Sequence, residues 1–181
     1  MFLSEPSTRC TSMRKVDTTD KIGQTHSETL ADLVISSGYD YAVGVPDSIL
    51  KNFLGPLELV IPVLNVPRED VAVAFATGIS LAESKPIVFM KNAGLFTCAD
   101  ALTSLALDIG EYLTLIVGWA GTGSDKLSHH LVTGSRTIDY LNALGVSWAV
   151  WDKADIHSLK TFLTQKAQGH RVLLVPPGSD I

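Results

Sequence analysis

Cysteine is nearly absent. Cys10 and Cys98 are the two in 181 residues, too few and too far apart for a disulfide framework or a metal cluster. No apolar run approaches the roughly 18 residues that a membrane-spanning helix needs. Thr11 to Gln24 is mostly polar, so the charged-then-apolar pattern expected of a secretory signal is not seen there. Basic residues do not predominate: 14 Lys and Arg face 19 Asp and Glu, a net charge of −5. Without a basic stripe or aromatic–basic interleaving, the electrostatic footprint of a nucleic-acid binder is absent. No GxSxG elbow, HExxH pair, GxGxxG or GK[ST] occurs, and Cys98 lacks a nucleophile context, so hydrolase, thiol and zinc chemistry lose support. The expectations are a reduced, cytoplasmic setting and no membrane or nucleic-acid partner.

What remains is a chain 46% hydrophobic and 18% charged, with the length of one domain around a real core. Residues 1–24 read as a flexible lead-in without sustained periodicity, and residues 25–181 as a single domain. Ser27 is the expected cap of a helix over 28–37, stopped by Gly38. Strands are then expected at 41–45, 59–66, 86–91, 112–119, 148–151 and 171–175. Helices are expected from Pro46 to Phe53 and over 68–83, 94–108, 135–144 and 155–167, with 120–133 as a long polar loop. Six apolar strands alternating with helices predict a three-layer α/β/α fold on a mostly parallel six-stranded sheet.

The loops after the strands of such a sheet line one edge, where open α/β folds place their ligands. They read Gly44-Val45-Pro46-Asp47-Ser48, Pro67-Arg68-Glu69, Asn92-Ala93-Gly94-Leu95, and Gly118-Trp119-Ala120-Gly121-Thr122-Gly123 followed by Ser128-His129-His130. Each has a plain structural alternative. Glu69 and Asp47 suit helix starts, Asn92 suits a tight turn, and the paired histidines suit a solvent-facing loop. Gly121-Thr122-Gly123 has the composition of a phosphate loop without its spacing, which leaves a non-catalytic phosphate- or nucleotide-binding protein as one reading.

Taken in order, Gly44-Val45-Pro46-Asp47-Ser48, Arg68-Glu69-Asp70 before an Ala-rich helix, Lys91-Asn92-Ala93-Gly94-Leu95, and Gly118-Trp119 before a His-containing loop resemble a known set. It is that of the pyrimidine-binding (PYR) domain of thiamine-diphosphate-dependent 2-oxoacid decarboxylases, closest to the phosphonopyruvate and sulfopyruvate decarboxylases. The resemblance covers about residues 27–177. It implies that Glu69 touches N1′ of the cofactor's aminopyrimidine and favours the imino tautomer that activates the thiazolium carbon. It also makes Asp47, Asn92, His129 and His130 candidates for substrate binding. Asn92 is further a candidate for cofactor contact, and His130 for proton delivery. Arg136 is a weaker candidate, its alternative being a solvated residue in the first turn of its helix.

The departures carry their own implication. The family's diphosphate and Mg²⁺ site uses Gly-Asp-Gly followed by Asn, and no Gly-Asp-Gly occurs in this chain. The resemblance therefore implies the α subunit of a two-subunit enzyme whose PP-domain (β) subunit holds the diphosphate and Mg²⁺, with α–β pairs in a hetero-oligomer. Its expected reaction converts phosphonopyruvate to phosphonoacetaldehyde and carbon dioxide. A sulfopyruvate decarboxylase α subunit and a non-catalytic PYR-fold assembly or regulatory module stay open beside it. Lys91 stands where phosphonopyruvate enzymes are expected to have Gln, and Phe96-Thr97 where they have Gly-Asn. The segment before His130 reads Asp125-Lys126-Leu127-Ser128 rather than the more acidic family pattern.

Overall fold

The computed structural model describes residues 28–166 and 168–181. The expected lead-in, Cys10 and the Ser27 cap fall outside the described residues. Helix α1, Leu30–Ser36, is capped instead by Thr29. The Thr29 Oγ1 accepts from the Asp32 amide at 3.1 Å while the Asp32 carboxylate accepts from the Thr29 amide at 3.0 Å, a reciprocal capping box. Gly38, at φ +82°, turns the chain out of this helix.

Alternation then proceeds through β1 (Tyr41–Gly44), α2 (Lys51–Glu58), β2 (Val63–Asn65), α3 (Glu69–Leu81) and β3 (Pro86–Lys91). A short α4 (Asn92–Leu95) and a π-helical segment (Ala101–Leu107) lead to β4 (Thr114–Gly118). Helix α5 (Ser128–Ala143), β5 (Ser147–Val150), α6 (Ile156–Thr164) and β6 (Arg171–Val175) complete the order. All strand pairs are parallel, in the order β2-β1-β3-β4-β6-β5. The expected architecture stands.

Strand alternation supplies both cores. Ile87 and Phe89 of β3 join Phe53, Leu57, Leu159 and Leu163 of α2 and α6 in one layer. Val88 and Met90 face Ala72, Val73, Leu102 and Leu141 of α3, the π segment and α5 in the other. Strands covered on both sides need continuous apolar sequence, and every residue of β4 and β6 is buried. The connection after β1 leaves toward the first layer and that after β3 toward the second. Their ends therefore part at the point where open α/β sheets have their crevice.

Four boundaries differ most from expectation. The strand expected at 59–66 keeps only Val63–Asn65, because α2 runs on to Glu58 and Leu59 and Val60 point into solvent at 87% and 60% exposure. The helix expected from Pro46 begins at Lys51. The helix expected over 94–108 is divided into α4 and the π segment. Helix α5 starts at Ser128, so His129 and His130 occupy its first turn rather than a loop.

Candidate functional site

Glu69 is the first residue of α3 and is half-buried. Its neighbour Asp70 is engaged by the Arg68 guanidinium in two hydrogen bonds of 3.0 and 2.8 Å and also accepts from the Val71 amide at 2.9 Å. That division leaves Asp70 as the local partner of the helix start and Glu69 without a hydrogen bond or ion pair among the described residues. The Glu69 carboxyl lies against Gly94 of α4, where a Cβ would overlap its Cγ, Cδ and Oε1. Gly94 is therefore the residue that lets this carboxylate stand at the strand ends.

Asp47 follows β1 with its side chain only 1% exposed. It does not cap α2, whose N-terminal residue Leu50 has no side-chain cap. The Lys91 ammonium lies 3.1 Å from Asp47 Oδ1, yet neither carboxylate oxygen is in hydrogen-bonding geometry with any group among the described residues. The contact is an ion pair, and the buried carboxylate accepts no hydrogen bond among the described residues. The other oxygen rests on Gly118, where a Cβ would overlap it. Lys91 ends β3 and Asp47 follows β1, so the pair sits at the parting of the two connections.

Asn92, fully buried, donates from Nδ2 to the Ala120 carbonyl and to Thr137 Oγ1, both at 3.0 Å. It thereby ties the start of α4 to the β4 loop and to α5, while its Oδ1 has no hydrogen-bond partner among the described residues. It opens α4 directly after β3, at the carboxyl edge of the sheet. Its amide, however, is already engaged inside the chain.

His130 Nδ1 lies 2.6 Å from Asp125 Oδ2. Asp125 also accepts from the Gly121 amide at 2.9 Å and the Leu127 amide at 3.1 Å. Those two amides, then His130, hold its carboxyl down at about 2. The arrangement fixes the imidazole through Nδ1 and leaves Nε2 without a hydrogen bond among the described residues. His129 is exposed, its ring centroid 4.2 Å from that of His130. Because Asp125 already fills the Gly121 amide, the Gly121-Thr122-Gly123 turn is not an open phosphate cradle. Arg136 is exposed and pairs with Asp139 at 3.5 Å, one turn along α5. Burial pushes the Cys98 thiol up to about 12, which makes it an inert core residue.

Sequence reading missed Lys91 and Asp125 as partners. Lys91 was visible as a departure from the family pattern. Asp125 was visible only as an acidic residue five before a histidine. Among the described residues, no group of three or more His, Cys, Asp or Glu side chains is placed to hold a metal ion, and no helix is long and apolar enough to cross a membrane.

No family model matches the chain. Among curated proteins, it is similar to a sulfopyruvate decarboxylase of Methanosarcina acetivorans, 24% identical over 123 residues, 68% of this chain and 32% of that protein. Sulfopyruvate decarboxylase subunits alpha of Methanococcus maripaludis and Methanothermobacter thermautotrophicus are also similar. The first is 26% identical over 124 residues, 67% of this chain and 74% of that one. The second is 29% identical over 112 residues, 61% and 68% respectively. The chain thus spans about a third of the Methanosarcina protein and most of each alpha subunit.

Among solved structures, a 2-oxoglutarate:ferredoxin oxidoreductase of Magnetococcus marinus superposes with a TM-score of 0.62 at 14% identity, covering 83% of this chain and 28% of that one. A thiamine diphosphate-dependent 4-hydroxybenzoylformate decarboxylase of Rhodococcus jostii gives 0.57 at 17%, covering 83% and 29%. The fold is the α/β fold of one domain of such enzymes.

Proposed function

We propose that the chain is the pyrimidine-binding α subunit of a thiamine-diphosphate-dependent decarboxylase that acts on a 2-oxoacid with an acidic tail. The observation that carries the proposal is the unpartnered, half-buried Glu69 carboxylate at the carboxyl edge of the sheet, given its room by the missing Cβ of Gly94. A residue kept only to complement the helix dipole needs no such clearance, and Asp70 already fills that role. A purely structural module would likewise have no use for it.

The residues fit the pyrimidine half of the cofactor. Glu69 would hold a proton against N1′ from its half-buried place, where that interaction is less screened than in bulk water. Lys91 and Asp47 would face the substrate at the crevice, and Asn92 would act as the strut that keeps α4, and with it Gly94, against Glu69. When bound, the thiazolium supplies the electron sink for the pair left as the C1–C2 bond of the 2-oxoacid breaks and carbon dioxide leaves. The carbon that held the carboxylate must then gain a proton. His130 is our donor, its Nδ1 braced by Asp125 and its Nε2 without a hydrogen bond among the described residues. His129, exposed beside it, is a substrate-side neighbour.

A separately encoded subunit carrying Gly-Asp-Gly and Asn would hold the diphosphate and Mg²⁺ and complete the site, and the α-subunit names of the relatives support that division. Sequence reading put phosphonopyruvate first. The relatives named for sulfopyruvate favour sulfopyruvate, with its sulfonate in place of the phosphonate.

The test is to co-purify the chain with that subunit, add thiamine diphosphate and Mg²⁺, and follow carbon dioxide release from each 2-oxoacid. Glu69→Gln is expected to lower kcat by about 10² or more. A wild-type rate in that variant removes Glu69 from the mechanism. A complex that binds no cofactor favours the assembly module.

A further inference from the structure

At the opposite, amino edge of the sheet is a cavity of about 170 Å³, walled by Tyr39, Ser80, Lys85, Thr114, Gln165 and Arg171 among others. Two cations meet there. Arg171 opens β6 at only 5% exposure. Its guanidinium donates to the Phe162 carbonyl and, at 2.9 Å, to the Gln165 carbonyl, closing the end of α6. The rest of its five-donor fork makes no hydrogen bond among the described residues. Lys85 Nζ donates to the Ser37 carbonyl at 2.8 Å and lies 4.3 Å from the Tyr39 ring centroid.

Neither cation forms an ion pair with a carboxylate among the described residues. The nearby acids are engaged elsewhere. Asp40 accepts the Lys85 backbone amide at 2.7 Å rather than its ammonium, and Glu111 accepts the Ser80 hydroxyl. Burial and then the Arg171 charge push the Lys85 ammonium below its ordinary range, while Asp40 opposes the shift. Like charges crowded in a partly buried concavity are costly without a counterion. Ser84 and Thr164 also line the wall, the Thr164 hydroxyl donating to the Lys160 carbonyl at 2.8 Å.

We infer that this cavity binds a small oxyanion of the phosphate or sulfate class between Lys85 and Arg171, at the edge of the sheet opposite Glu69. The volume suits a free ion better than the head of a larger metabolite. Charge-assisted hydrogen bonds from a guanidinium and an ammonium are the strong kind for such a ligand.

The full 181-residue chain, in chloride buffer of constant ionic strength, is titrated with inorganic phosphate and separately with glycerol 3-phosphate. Amide signals of Thr114 and Gln165 are followed by NMR. Saturable shifts with inorganic phosphate are expected, with affinity about tenfold or more weaker in Lys85→Met. Glu69→Gln is expected to leave the affinity as it is. Shifts that rise linearly without saturation in the wild type overturn the site, as does equal affinity in Lys85→Met. Tighter binding of glycerol 3-phosphate than of phosphate overturns the free-ion assignment. Should Lys85→Met not fold, Lys85→Arg keeps the charge and must retain saturable binding.

Discussion

The ammonium of Lys91 lies 3.1 Å from Asp47 Oδ1, joining the end of β3 to the loop after β1 across the parting of their connections. With the Asp47 side chain 1% exposed, that cation is the carboxylate's ion-pair partner among the described residues. Removing it leaves a buried charge without compensation. Lys91→Met is expected to destabilise the fold by about 1–3 kcal/mol. The double variant Lys91→Met, Asp47→Asn should recover part of that loss. Urea unfolding of the four members of the cycle measures the coupling, and additive losses would show that the pair contributes nothing.

Gly94 sets the position of Glu69. In Gly94→Ala the new methyl overlaps a flexible, half-exposed side chain rather than backbone, so Glu69 swings away and the fold survives. Stability is expected to change by no more than about 1 kcal/mol, since Ala favours the helix. Cofactor-dependent activity of the assembled enzyme is expected to fall as in Glu69→Gln. Full activity in Gly94→Ala would mean that the Glu69 position is not critical.

Much of this edge was legible in the chain. Apolar runs bounded by helix signals gave the sheet, and the strand-end segments gave Glu69, Asp47 and Asn92. The pairings were not legible, because Lys91 and Asp47 lie 44 positions apart and sequence periodicity carries no information across a sheet. Helix α5 was read too short for a related reason. Ser128-His129-His130 is polar and follows a Gly-rich turn, but Asp125 takes the Gly121 and Leu127 amides and steadies the helix entry. The split of 94–108 into α4 and a π segment has no marker in its apolar pattern.

Asp125 should govern the acid limit of that entry. Its folded carboxyl titrates at about 2, below its ordinary 3.8, because the Gly121 and Leu127 amides donate to the ionised form. A depressed carboxyl contributes stability above the ordinary value and loses it as pH falls through the folded one. The loss is expected between about 3.8 and 2, and Asp125→Asn should flatten it. Far-UV circular dichroism during acid titration of both proteins decides this.

His170 acts in the same direction at higher pH. It is buried, accepting the Leu113 amide at Nδ1 (3.0 Å) and donating from Nε2 to the Leu102 carbonyl (2.9 Å). Burial pushes its pKa below the ordinary 6.5, while the Leu102 bond opposes the shift. The unfolded chain then binds the proton more readily, so stability is complete above about 6.5 and declines as pH falls below it. Thermal melts at pH 7.5 and 5.5 should show a drop in Tm that is smaller in His170→Gln. An identical drop in that variant would place the titration elsewhere.

Strand β3 has one end at the Lys85 cavity and the other at Lys91, and its six residues at about 3.3 Å each put roughly 20 Å between the two cationic places. Electrostatic screening in physiological salt has a length of about 8 Å. Charge placed at one end is therefore almost invisible as a field at the other. The two ends can be recharged independently in engineering, and any influence between them must travel as displacement of a buried, rigid strand.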